Sequence, residues 1–355
     1  MYKMEIKSSI RNYSLSIVED FKPILEKVYQ ENDFIIVDEK VYNLFEEKIS
    51  NTKWNDKLIK ITALEETKSY LALAEVIEQL IEAGFKKNNN LIAIGGGITQ
   101  DVTAFTASIL YRGVDWVFFP TTLLAQGDSC IGSKTSINFK KYKNQIGNFY
   151  SPREIFIDLN FLKTLEERDL TSGLGEMAHY FLVSSEEDFR RFKNEYQTAR
   201  KDFDVLRDLL KRSLEIKKSY IEIDEFDKKE RQVFNYGHSF GHAIESLTNY
   251  KIPHGVAVSI GMDISNFMSV KYDYLEETKR NEMRELLKQV WKGYSIEDIN
   301  LKDMENALRK DKKNKGNLLG LILSSGPGKT FKEFKELDEN FSSWLKEYFE
   351  NEFNK

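Results

Sequence analysis

Apolar and polar positions alternate over short runs in the first 160 residues, which predicts strands that take turns with helices. Residues 2–19 predict a β-hairpin with its turn near Arg11 and Asn12. Further strands are predicted for the runs DFIIVD, IKITALE, NLIAIGGG, DWVFFPTT and EIFIDL, and helices for VYNLFEEKI, TKSYLALAEVIEQLIEAGF and ITQDVTAFTASILYRG. Strands that alternate with helices in this way predict a mostly parallel sheet covered by helices.

Beyond Phe161 the pattern changes to helical spacing. It covers residues 186–222, 226–249, 255–292 and 300–310. The apolar run LLGLIL interrupts this pattern before a last helix, predicted from about Phe331 to Phe353. We therefore expect two domains, an α/β domain over 1–160 and an all-helical domain over 161–355.

Composition and charge exclude several classes of protein. The chain has 355 residues, 41% hydrophobic and 31% charged, and its net charge of −5 leaves no basic excess for a general nucleic-acid binder. Its one cysteine, Cys130, permits neither an intrachain disulfide nor a cysteine-based metal site, which is typical of a cytoplasmic protein. No apolar run reaches the ~20 residues that span a membrane, and the first residues have no signal-peptide core.

Gly95, Gly96 and Gly97 end a predicted buried strand and begin a helix. Glycines at such a junction let the backbone approach a pyrophosphate at the helix N-terminus. The spaced glycines of the dinucleotide fingerprint are absent, so a simple tight turn is an equal alternative. Asp101 follows on the same helix, and Asp38 ends an earlier strand. Asp38 has two interpretations, a ribose ligand or an ordinary helix cap.

The segment after Pro120 concentrates polar side chains among small residues. They are Thr121, Thr122, Asp128, Lys134, Asn138, Lys143 and Asn144. Lysine and asparagine near glycines favour a phosphate or a polyhydroxylated ligand. The alternative is a solvated surface loop, against which the apolar stretches TTLLA and IGNFY argue.

All four histidines fall in two short stretches. His179 lies three residues after Glu176, and His238, His242 and His254 lie within residues 231–255. Imidazole and carboxylate together are common ligands of a metal such as zinc, so we expect the two stretches to meet at one site. Three of Glu176, His238, His242 and His254 would bind the ion, and the spacing does not say which. The alternative is that each histidine is a satisfied core residue.

Taken together, the motifs resemble the 3-dehydroquinate synthase family of sugar-phosphate cyclases. The segments that carry the resemblance are GGGITQDV, YRGVDW, PTTLLAQGDS, GSKTSIN, KNQIGNFY, IDLNFLKTL, SGLGEM, RQVFNYGHSFGHAIE, PHGVAVSIGM and DKKNKG. The resemblance implies a Rossmann-like NAD-binding domain, a helical metal- and substrate-binding domain, a homodimer, bound NAD and one divalent metal, normally zinc, with cobalt as a substitute. It also implies conversion of 3-deoxy-arabino-heptulosonate 7-phosphate to 3-dehydroquinate with elimination of phosphate.

The resemblance assigns roles residue by residue. It implies that Glu176, His238 and His254 bind the metal. Residues expected at NAD are Asp38, Glu65, Lys68, Gly95, Gly96, Gly97, Asp101, Thr121, Thr122, Phe161 and Thr164. Residues expected at the substrate are Asp128, Lys134, Lys143, Asn144, His179, Lys217, Arg231, Asn235, His242 and Lys312. Arg112 matches an arginine that reaches the phosphate site of a neighbouring subunit.

Gly127 and Ser133 differ from the common choices of the family, and two further positions depart from its pattern. His179 stands where lysine is usual, and Asp227 stands where glutamate is usual. Both lie in the substrate half, so alternatives to the synthase are a cyclase for another sugar phosphate and a metal-dependent NAD polyol dehydrogenase. A non-catalytic ligand-binding protein is a further alternative, against which Asp128, Lys134 and Asn144 argue.

Overall fold

The structure, a computed structural model, describes residues 2–140, 142–311 and 313–355. The chain divides into two compact units, Met1–Glu166 and Glu167–Lys355. The boundary predicted near residue 160 lies in a short 3₁₀ helix of the first unit, Leu159–Thr164.

A seven-stranded sheet forms the centre of the first unit. Its strand order is β1-β2-β9-β6-β5-β3-β4, and every neighbouring pair is parallel except β1 and β2. The strands of this unit are β1 (Tyr2–Ile6), β2 (Tyr13–Val18), β3 (Phe34–Asp38), β4 (Leu58–Ile61), β5 (Leu91–Gly95), β6 (Trp116–Pro120), β7 (Ile137–Phe139), β8 (Tyr142–Ile146) and β9 (Glu154–Asp158). The helices are α1 (Phe21–Val28), α2 (Glu39–Leu44), α3 (Glu46–Ile49), α4 (Tyr70–Glu82) and α5 (Gly97–Ile109). The predicted N-terminal hairpin and the parallel sheet are confirmed.

The middle strands are buried on both faces. Every residue of β5 and β6 is buried, as expected for parallel strands covered on each side. Alternate residues of these strands, including Ile92, Ile94 and Phe119, share one apolar cluster with Phe21 of α1. Their carboxyl ends, at Gly95 and Pro120, are therefore held rigidly at one edge of the sheet.

A second hairpin in this unit was not predicted. Strands β7 and β8 pair with each other, outside the main sheet. No residue of β8 is fully buried. Its sequence YKNQI has apolar residues only at its two ends, which is too weak a pattern to predict a strand. The segment predicted only as a polar loop therefore contains regular structure.

Helices make up most of the second unit. They are α6 (Glu167–Ser184), α7 (Glu186–Ala199), α8 (Phe203–Ile223), α9 (His238–Leu247), α10 (His254–Lys271), α11 (Glu277–Val290), α12 (Leu301–Arg309) and α13 (Glu339–Glu347). Helix α10 is buried from Gly255 to Ser269 and packs against α6, α9 and α11. This helix is the centre of the unit.

The predicted fold class is confirmed, with one departure in the second unit. Strands β10 (Leu318–Ser324) and β11 (Thr330–Glu336) form an antiparallel hairpin, so this unit is not entirely helical. The helix predicted from Phe331 is wrong at its start, because Thr330–Glu336 is an extended strand that pairs with β10. The helix begins only at Glu339, after Asp338 caps it through the backbone N–H of Phe341.

The helix predicted over 226–249 is also divided. A short 3₁₀ segment, Glu230–Asn235, precedes Gly237, whose φ of 78° is left-handed. Helix α9 begins only after this glycine, at His238. The change of direction separates Arg231 and Asn235 from the helix that bears the histidines.

Candidate active site and metal centre

Three side chains from three helices meet in the second unit. Glu176 lies in the middle of α6, whereas His238 and His254 are the first residues of α9 and α10. Nε2 of His238 lies 3.6 Å from Oε1 of Glu176, and Nε2 of His254 lies 3.4 Å from Oε2. The three ligand atoms all lie within 4.8 Å of one another. One ion with bonds of about 2 Å to nitrogen and oxygen fits this spacing.

Glycines let the three helices come this close. A Cβ on Gly255 would lie 1.8 Å from the carbonyl oxygen of Ser172 in α6, and one on Gly261 would lie 2.0 Å from that of Gly237. The backbone N–H of Gly255 also donates to Oγ of Ser172 over 3.0 Å. Helix α10 therefore packs backbone to backbone against α6 and against the residue that precedes α9.

A hydrogen bond at Nδ1 orients each of the two histidine rings. Nδ1 of His238 is 3.1 Å from the carbonyl oxygen of Tyr236, and Nδ1 of His254 is 2.9 Å from Oε2 of Glu245. Both partners are acceptors, so each Nδ1 carries the proton that it donates. Nε2 of each ring then faces Glu176, and a metal that binds there would take its lone pair in place of any proton. Carboxylate and imidazole are typical zinc ligands, and three of them leave a position open, so this donor set fits a catalytic metal.

The charges around the cluster favour a cation. Burial acts to raise the pKa of Glu176, but the charge and hydrogen bonds of His238 and His254 hold this pKa well below its usual range. Burial acts to lower the pKa of His254, but Glu245 and Glu176 raise it well above its usual value. The cluster therefore attracts positive charge, and a bound metal would displace the proton from Nε2 of His254.

The other two histidines lie on different sides of this cluster. His179 is fully buried, with Nδ1 3.8 Å from Oε1 of Glu176 and its ring 5.2 Å from that of His238. His242 is exposed on α9, and its ring centre lies 5.4 Å and 5.7 Å from those of His238 and His254. The two histidine-bearing stretches thus meet at one place, as expected. Burial separates the histidines in a way that spacing could not.

The predicted substrate residues of this unit approach the cluster through aromatic contacts. The ring of Phe234 lies 5.5 Å from His179 and 4.7 Å from Tyr180. The ammonium group of Lys217, which is buried, lies 5.9 Å from the Tyr180 ring. Phe234 therefore brings the segment that carries Arg231 against α6.

The Arg231 segment is a tight turn around one carboxylate. Asp224 accepts from the backbone N–H groups of Lys228, Lys229 and Arg231. The guanidinium of Arg231, which is buried, donates to the carbonyl oxygen of Glu225 over 2.6 Å.

Two further substrate predictions belong to this unit. Asn235 donates to the carbonyl oxygen of Gln232 over 3.1 Å. Lys312 lies outside the described residues.

In the first unit, the glycines form a junction of strand and helix. Gly95 ends β5, Gly96 caps α5, and Gly97 begins it. A Cβ on Gly95 would lie 2.3 Å from Oγ1 of Thr99, and one on Gly96 would lie 3.0 Å from a methyl group of Thr122. The tight turn is therefore real, and the N-terminus of α5 at this junction suits an anion.

Lys68 and Asp101 form a nearly buried ion pair beside that helix. Nζ of Lys68 lies 2.6 Å from Oδ2 of Asp101, and the two side chains are only 11% and 16% exposed. Burial raises the pKa of Asp101 even though Lys68 acts to lower it. Two of the predicted NAD-binding residues are thus in direct contact.

Asn138 joins the neighbouring predicted residues, although the sequence assigned it no specific role. Its amide donates to Oε1 of Glu65 over 2.8 Å, and its carbonyl oxygen accepts from the N–H of Asn144 over 2.9 Å. Glu65 also pairs with Lys143 at 3.2 Å. Asn138 was named in the polar segment, but its sequence position alone gives no sign of this linking role.

Some predicted residues of this unit have a structural role that the sequence left open. Asp38 caps α2 by accepting from the N–H of Lys40 over 2.9 Å, and burial raises its pKa. Phe161 is a core residue, 1% exposed, whose ring lies 4.6 Å from Phe21. Oγ1 of Thr164 donates to the carbonyl oxygen of Phe161 over 2.9 Å. Contact of these three residues with NAD remains a prediction.

The remaining residues lie on turns. Asp128 lies in a single wide helical turn, Ala125–Ser129, and Lys134 is exposed beside β7. Arg112 is exposed, and both Arg112 and Tyr111 have left-handed backbones, with φ of 66° and 51°. The hydroxyl of Tyr111 holds this turn by donating to the carbonyl oxygen of Phe85 over 3.0 Å.

Over the described part of the chain, every helix is too short or too polar to cross a bilayer.

Comparison with known proteins assigns both units. Residues 58–172 match the family described as 3-dehydroquinate synthase N-terminal, and residues 173–314 match 3-dehydroquinate synthase C-terminal. A relative named 3-dehydroquinate synthase from Alkaliphilus metalliredigens (strain QYMF) is 34% identical over 334 residues, which cover 92% of this chain and 94% of the relative.

Two solved structures share the fold. One is 2-deoxy-scyllo-inosose synthase complexed with carbaglucose-6-phosphate, NAD+ and Co2+, at a TM-score of 0.82 and 22% identity over 98% of this chain and 99% of that chain. The other is 2-epi-5-epi-valiolone synthase from Streptomyces hygroscopicus subsp. jinggangensis 5008 with NAD+ and Zn2+ bound, at a TM-score of 0.84 and 23% identity over 94% of each chain. Because two consecutive family matches span both units and the bacterial relative aligns over most of both chains, the chain belongs to the 3-dehydroquinate synthase family.

Proposed function

We propose that the chain is a 3-dehydroquinate synthase, which converts 3-deoxy-arabino-heptulosonate 7-phosphate to 3-dehydroquinate and inorganic phosphate. The observation that carries this proposal is the cluster of Glu176, His238 and His254, which presents one carboxylate and two oriented imidazoles in a chain of this family. The relative at 34% identity bears the name of the same activity.

The reaction has no net redox change. One carbinol of the substrate is oxidised, phosphate leaves by elimination next to the new ketone, the ketone is reduced again, and ring opening and aldol closure form the carbocycle. A bound divalent metal would polarise the hydroxyl that is oxidised, and bound NAD would take up the hydride and return it. Neighbours of the same fold contain NAD+ with Co2+ or Zn2+, which supports zinc here and cobalt as a substitute.

The chain's own residues would bind and orient the substrate. The Arg231 guanidinium suits a carboxylate, because its planar fork matches two oxygens. Lysines 134, 143 and 217, with Asn144 and Asn235, supply hydrogen-bond donors for phosphate and hydroxyl oxygens. His242, exposed beside the metal ligands, would hydrogen-bond the leaving phosphate. The helix start at Gly97, with Thr121 and Thr122 nearby, would bind the pyrophosphate of NAD.

The test is an assay of phosphate release with zinc and NAD present. We expect phosphate and dehydroquinate to form from the heptulosonate phosphate, without accumulation of NADH. Glu176→Gln is the matched inactive control, because it keeps the shape of a ligand and removes its charge. Accumulation of one NADH for each substrate would instead support a polyol dehydrogenase. Failure of the heptulosonate phosphate, with release from sedoheptulose 7-phosphate, would support a cyclase for another substrate.

His179 is the residue that most directly questions the substrate. It is fully buried 3.8 Å from Glu176, where the family usually has lysine. We compare wild type and His179→Lys on both substrates. A faster reaction of the variant with the heptulosonate phosphate supports the synthase, and a selective loss of activity supports a specialised substrate.

We also infer a cytoplasmic homodimer in which Arg112 acts on the partner subunit. The support is the exposed side chain of Arg112 on a turn with two left-handed residues, which cost of order 1–3 kcal/mol each and are common at functional sites. The test mixes two inactive variants, Arg112→Ala and Lys134→Ala, after unfolding and refolding together. If Arg112 acts across a dimer, mixed dimers restore roughly a quarter of the activity. No recovery would contradict this arrangement.

A further inference from the structure

His254 faces a carboxylate on each side of its ring. Nε2 lies 3.4 Å from Oε2 of Glu176, and Nδ1 lies 2.9 Å from Oε2 of Glu245. The same imidazole therefore belongs to two groups of ligand atoms. One is Glu176, His238 and His254, and the other is His242, Glu245 and His254; within each group the ligand atoms lie within 4.8 Å of one another.

Glu245 reaches His254 from the helix that carries the other histidines. It lies on α9, seven residues after His238 and three after His242, so all three share one face. Its side chain is only 14% exposed, and its carboxylate bonds the imidazole of His254. Glu245 is therefore a member of the second group, and it contacts the first group through its hydrogen bond to His254.

We propose that Glu245 is a positioning residue that directs the metal to the Glu176 side of His254 and excludes it from the His242 side. This inference rests on the proposed metal site. The Glu245 carboxylate is an acceptor, so the hydrogen bond places the N–H of His254 on Nδ1 and the lone pair on Nε2. An imidazole nitrogen binds a metal only through its lone pair. While Nδ1 of His254 carries its proton, it is therefore not available as a ligand to the group with His242.

The same hydrogen bond strengthens the site that remains. A carboxylate that accepts a hydrogen bond from one nitrogen of a metal-bound imidazole fixes the orientation of the ring. It also makes the other nitrogen more basic and therefore a stronger metal ligand. His238 has only a backbone carbonyl, of Tyr236, in the equivalent place. Loss of such a partner weakens metal binding by about 10–100-fold. The carboxylate of Glu245 is therefore expected to act on His254 and not on the metal itself.

The first experiment measures zinc affinity by competition with a chelator of known affinity. Metal-free wild type, Glu245→Ala, Glu245→Gln and the neighbouring Ser246→Ala are compared. We expect Glu245→Ala to bind zinc about 10–100-fold more weakly and Glu245→Gln to lie between it and wild type, because glutamine still offers an acceptor oxygen. Ser246, whose hydroxyl donates to the carbonyl oxygen of Ala243 over 3.2 Å, is the control and should leave the affinity unchanged.

A second comparison separates positioning from direct ligation by Glu245. His242→Ala removes a member of the second group only, and Glu176→Gln removes a member of the first group only. We expect His242→Ala to keep the zinc affinity within about twofold of wild type, although its activity falls, and Glu176→Gln to lose binding. A large loss of zinc affinity in His242→Ala would mean that the metal binds in the second group, where Glu245 is one of the ligands. That result would overturn the proposal.

The result also distinguishes this inference from the proposed function. Wild-type affinity in Glu245→Ala, with phosphate release intact, would refute the positioning role and leave the synthase standing. Zinc at saturating concentration should restore phosphate release in Glu245→Ala, because the ligands themselves are present. Wild type that binds no zinc would refute the metal site, and with it both proposals. Circular dichroism and the Glu245→Gln variant keep the test valid if Glu245→Ala fails to fold.

Discussion

Asp188 shows how much one carboxylate can stabilise a helix start. Both of its oxygens accept from the guanidinium of Arg212 over 2.8 Å, and one also accepts from the hydroxyl of Ser184 over 2.6 Å. Its own N–H donates to Oγ of Ser185, which caps α7. The Asp188 carboxylate also accepts from the hydroxyl of Ser185 over 3.1 Å, so the two residues are bonded to each other through both groups at the start of the helix.

We expect Asp188→Asn to lower the stability near neutral pH by about 1.5–3 kcal/mol, the range for hydrogen bonds to a charged group. Burial acts to raise the pKa of Asp188, but Arg212 and the serines hold it below its ordinary value of 3.8. A lowered pKa gives stability that is complete above the ordinary value and is lost as pH falls through the folded-state pKa. The difference between wild type and variant should therefore shrink below about pH 4.

Urea unfolding at several pH values measures this difference. Asp204→Asn is the matched control on the next helix, because its side chain is 84% exposed and pairs with Arg207 on the same helix. It should change stability little at any pH. A difference for Asp188→Asn that stays constant down to the acid transition would contradict the assignment.

The limits of sequence reasoning at this scale appear in the four histidines. The spacing of these residues predicted a metal site with three ligands. It did not say which three of the four candidates bind the ion. The structure separates them by orientation, since Nε2 of His238 and of His254 face Glu176 whereas His242 is exposed. Glu245 was not predicted at all. Its place three residues after His242, in the motif GHAIE, was the only available signal.

At the scale of elements, close packing of α6 and α10 determines the geometry of the proposed metal site. The contact depends on Gly255, where a Cβ would lie 1.8 Å from a backbone oxygen of Ser172. We expect Gly255→Ala to push the helices apart, to cost 1–3 kcal/mol or more of stability, about what overpacking costs, and to weaken zinc binding. Gly241→Ala is the milder comparison, because its nearest contact, with Val258, would be 3.0 Å.

Thermal unfolding and zinc affinity, measured on both variants, test this prediction. The two properties should fall together in Gly255→Ala, because Gly255 follows His254 directly and packs against the backbone of α6 at Ser172 and Glu176. A variant that unfolds earlier but binds zinc like wild type would show that the packing supports the fold and not the site.

The C-terminal segment is attached by buried charges. Arg280 of α11 is fully buried, 2.8 Å from Oε2 of Glu352 and 3.4 Å from Oδ2 of Asp263. The hydroxyl of Tyr348 donates to the same Asp263 oxygen over 2.8 Å. We expect Arg280→Met to cost up to about 3–5 kcal/mol, because it leaves the two buried carboxylates to share the one guanidinium of Arg284, which lies 3.3 Å from Asp263 and 3.7 Å from Glu352.

Thermal unfolding measures this cost, which corresponds to a shift of several degrees in a chain of this size. Arg190→Met removes an ion pair that is 63% exposed on the arginine side, with Glu186 on the same helix. That variant should differ from wild type by less than about 0.5 kcal/mol. Equal effects of the two substitutions would contradict a special role for the buried pair.

The elements that were not predicted from the sequence lack the apolar periodicity expected for their type. Helix α6 is buried on all sides from Thr171 to Val183, so it has no polar stripe with a helical period. Strand β8 has apolar residues only at its two ends, Tyr142 and Ile146. Strand β11 was taken for the start of a helix, and its two phenylalanines, Phe331 and Phe334, are three residues apart, which is a helical spacing. The strands of the parallel sheet were predicted correctly, because apolar runs such as LIAIG and WVFFP are buried on both faces.

At the scale of the whole molecule, the order of motifs carried more information than any one of them. Each glycine or histidine segment had an ordinary structural alternative, and several of these alternatives, such as the cap at Asp38 and the core position of Phe161, are also true. A residue can hold its own backbone and still line a cofactor. The family match over 58–314 resolves identity, while distances such as those around Asn138 and Glu245 require coordinates.

The two units are expected to respond to different ligands. NAD should slow hydrogen exchange in the first unit, at the junctions that follow β5 and β6, because the predicted phosphate-binding groups lie there. Zinc should slow exchange in the second unit, at the starts of α9 and α10 and the middle of α6, because Glu176, His238 and His254 come from these elements. A ligand at 100 times its Kd can slow exchange by about 100-fold where opening requires its release.

Hydrogen exchange with mass spectrometry, on wild type and His254→Ala, makes this prediction specific. The variant should lose the protection by zinc in the second unit and keep the protection by NAD in the first, because it removes one of the three proposed metal ligands and no predicted NAD contact. Zinc protection that survives in the variant would refute His254 as a ligand. NAD protection that is lost together with it would mean that the two sites depend on each other, and would contradict the assignment of each cofactor to its own unit.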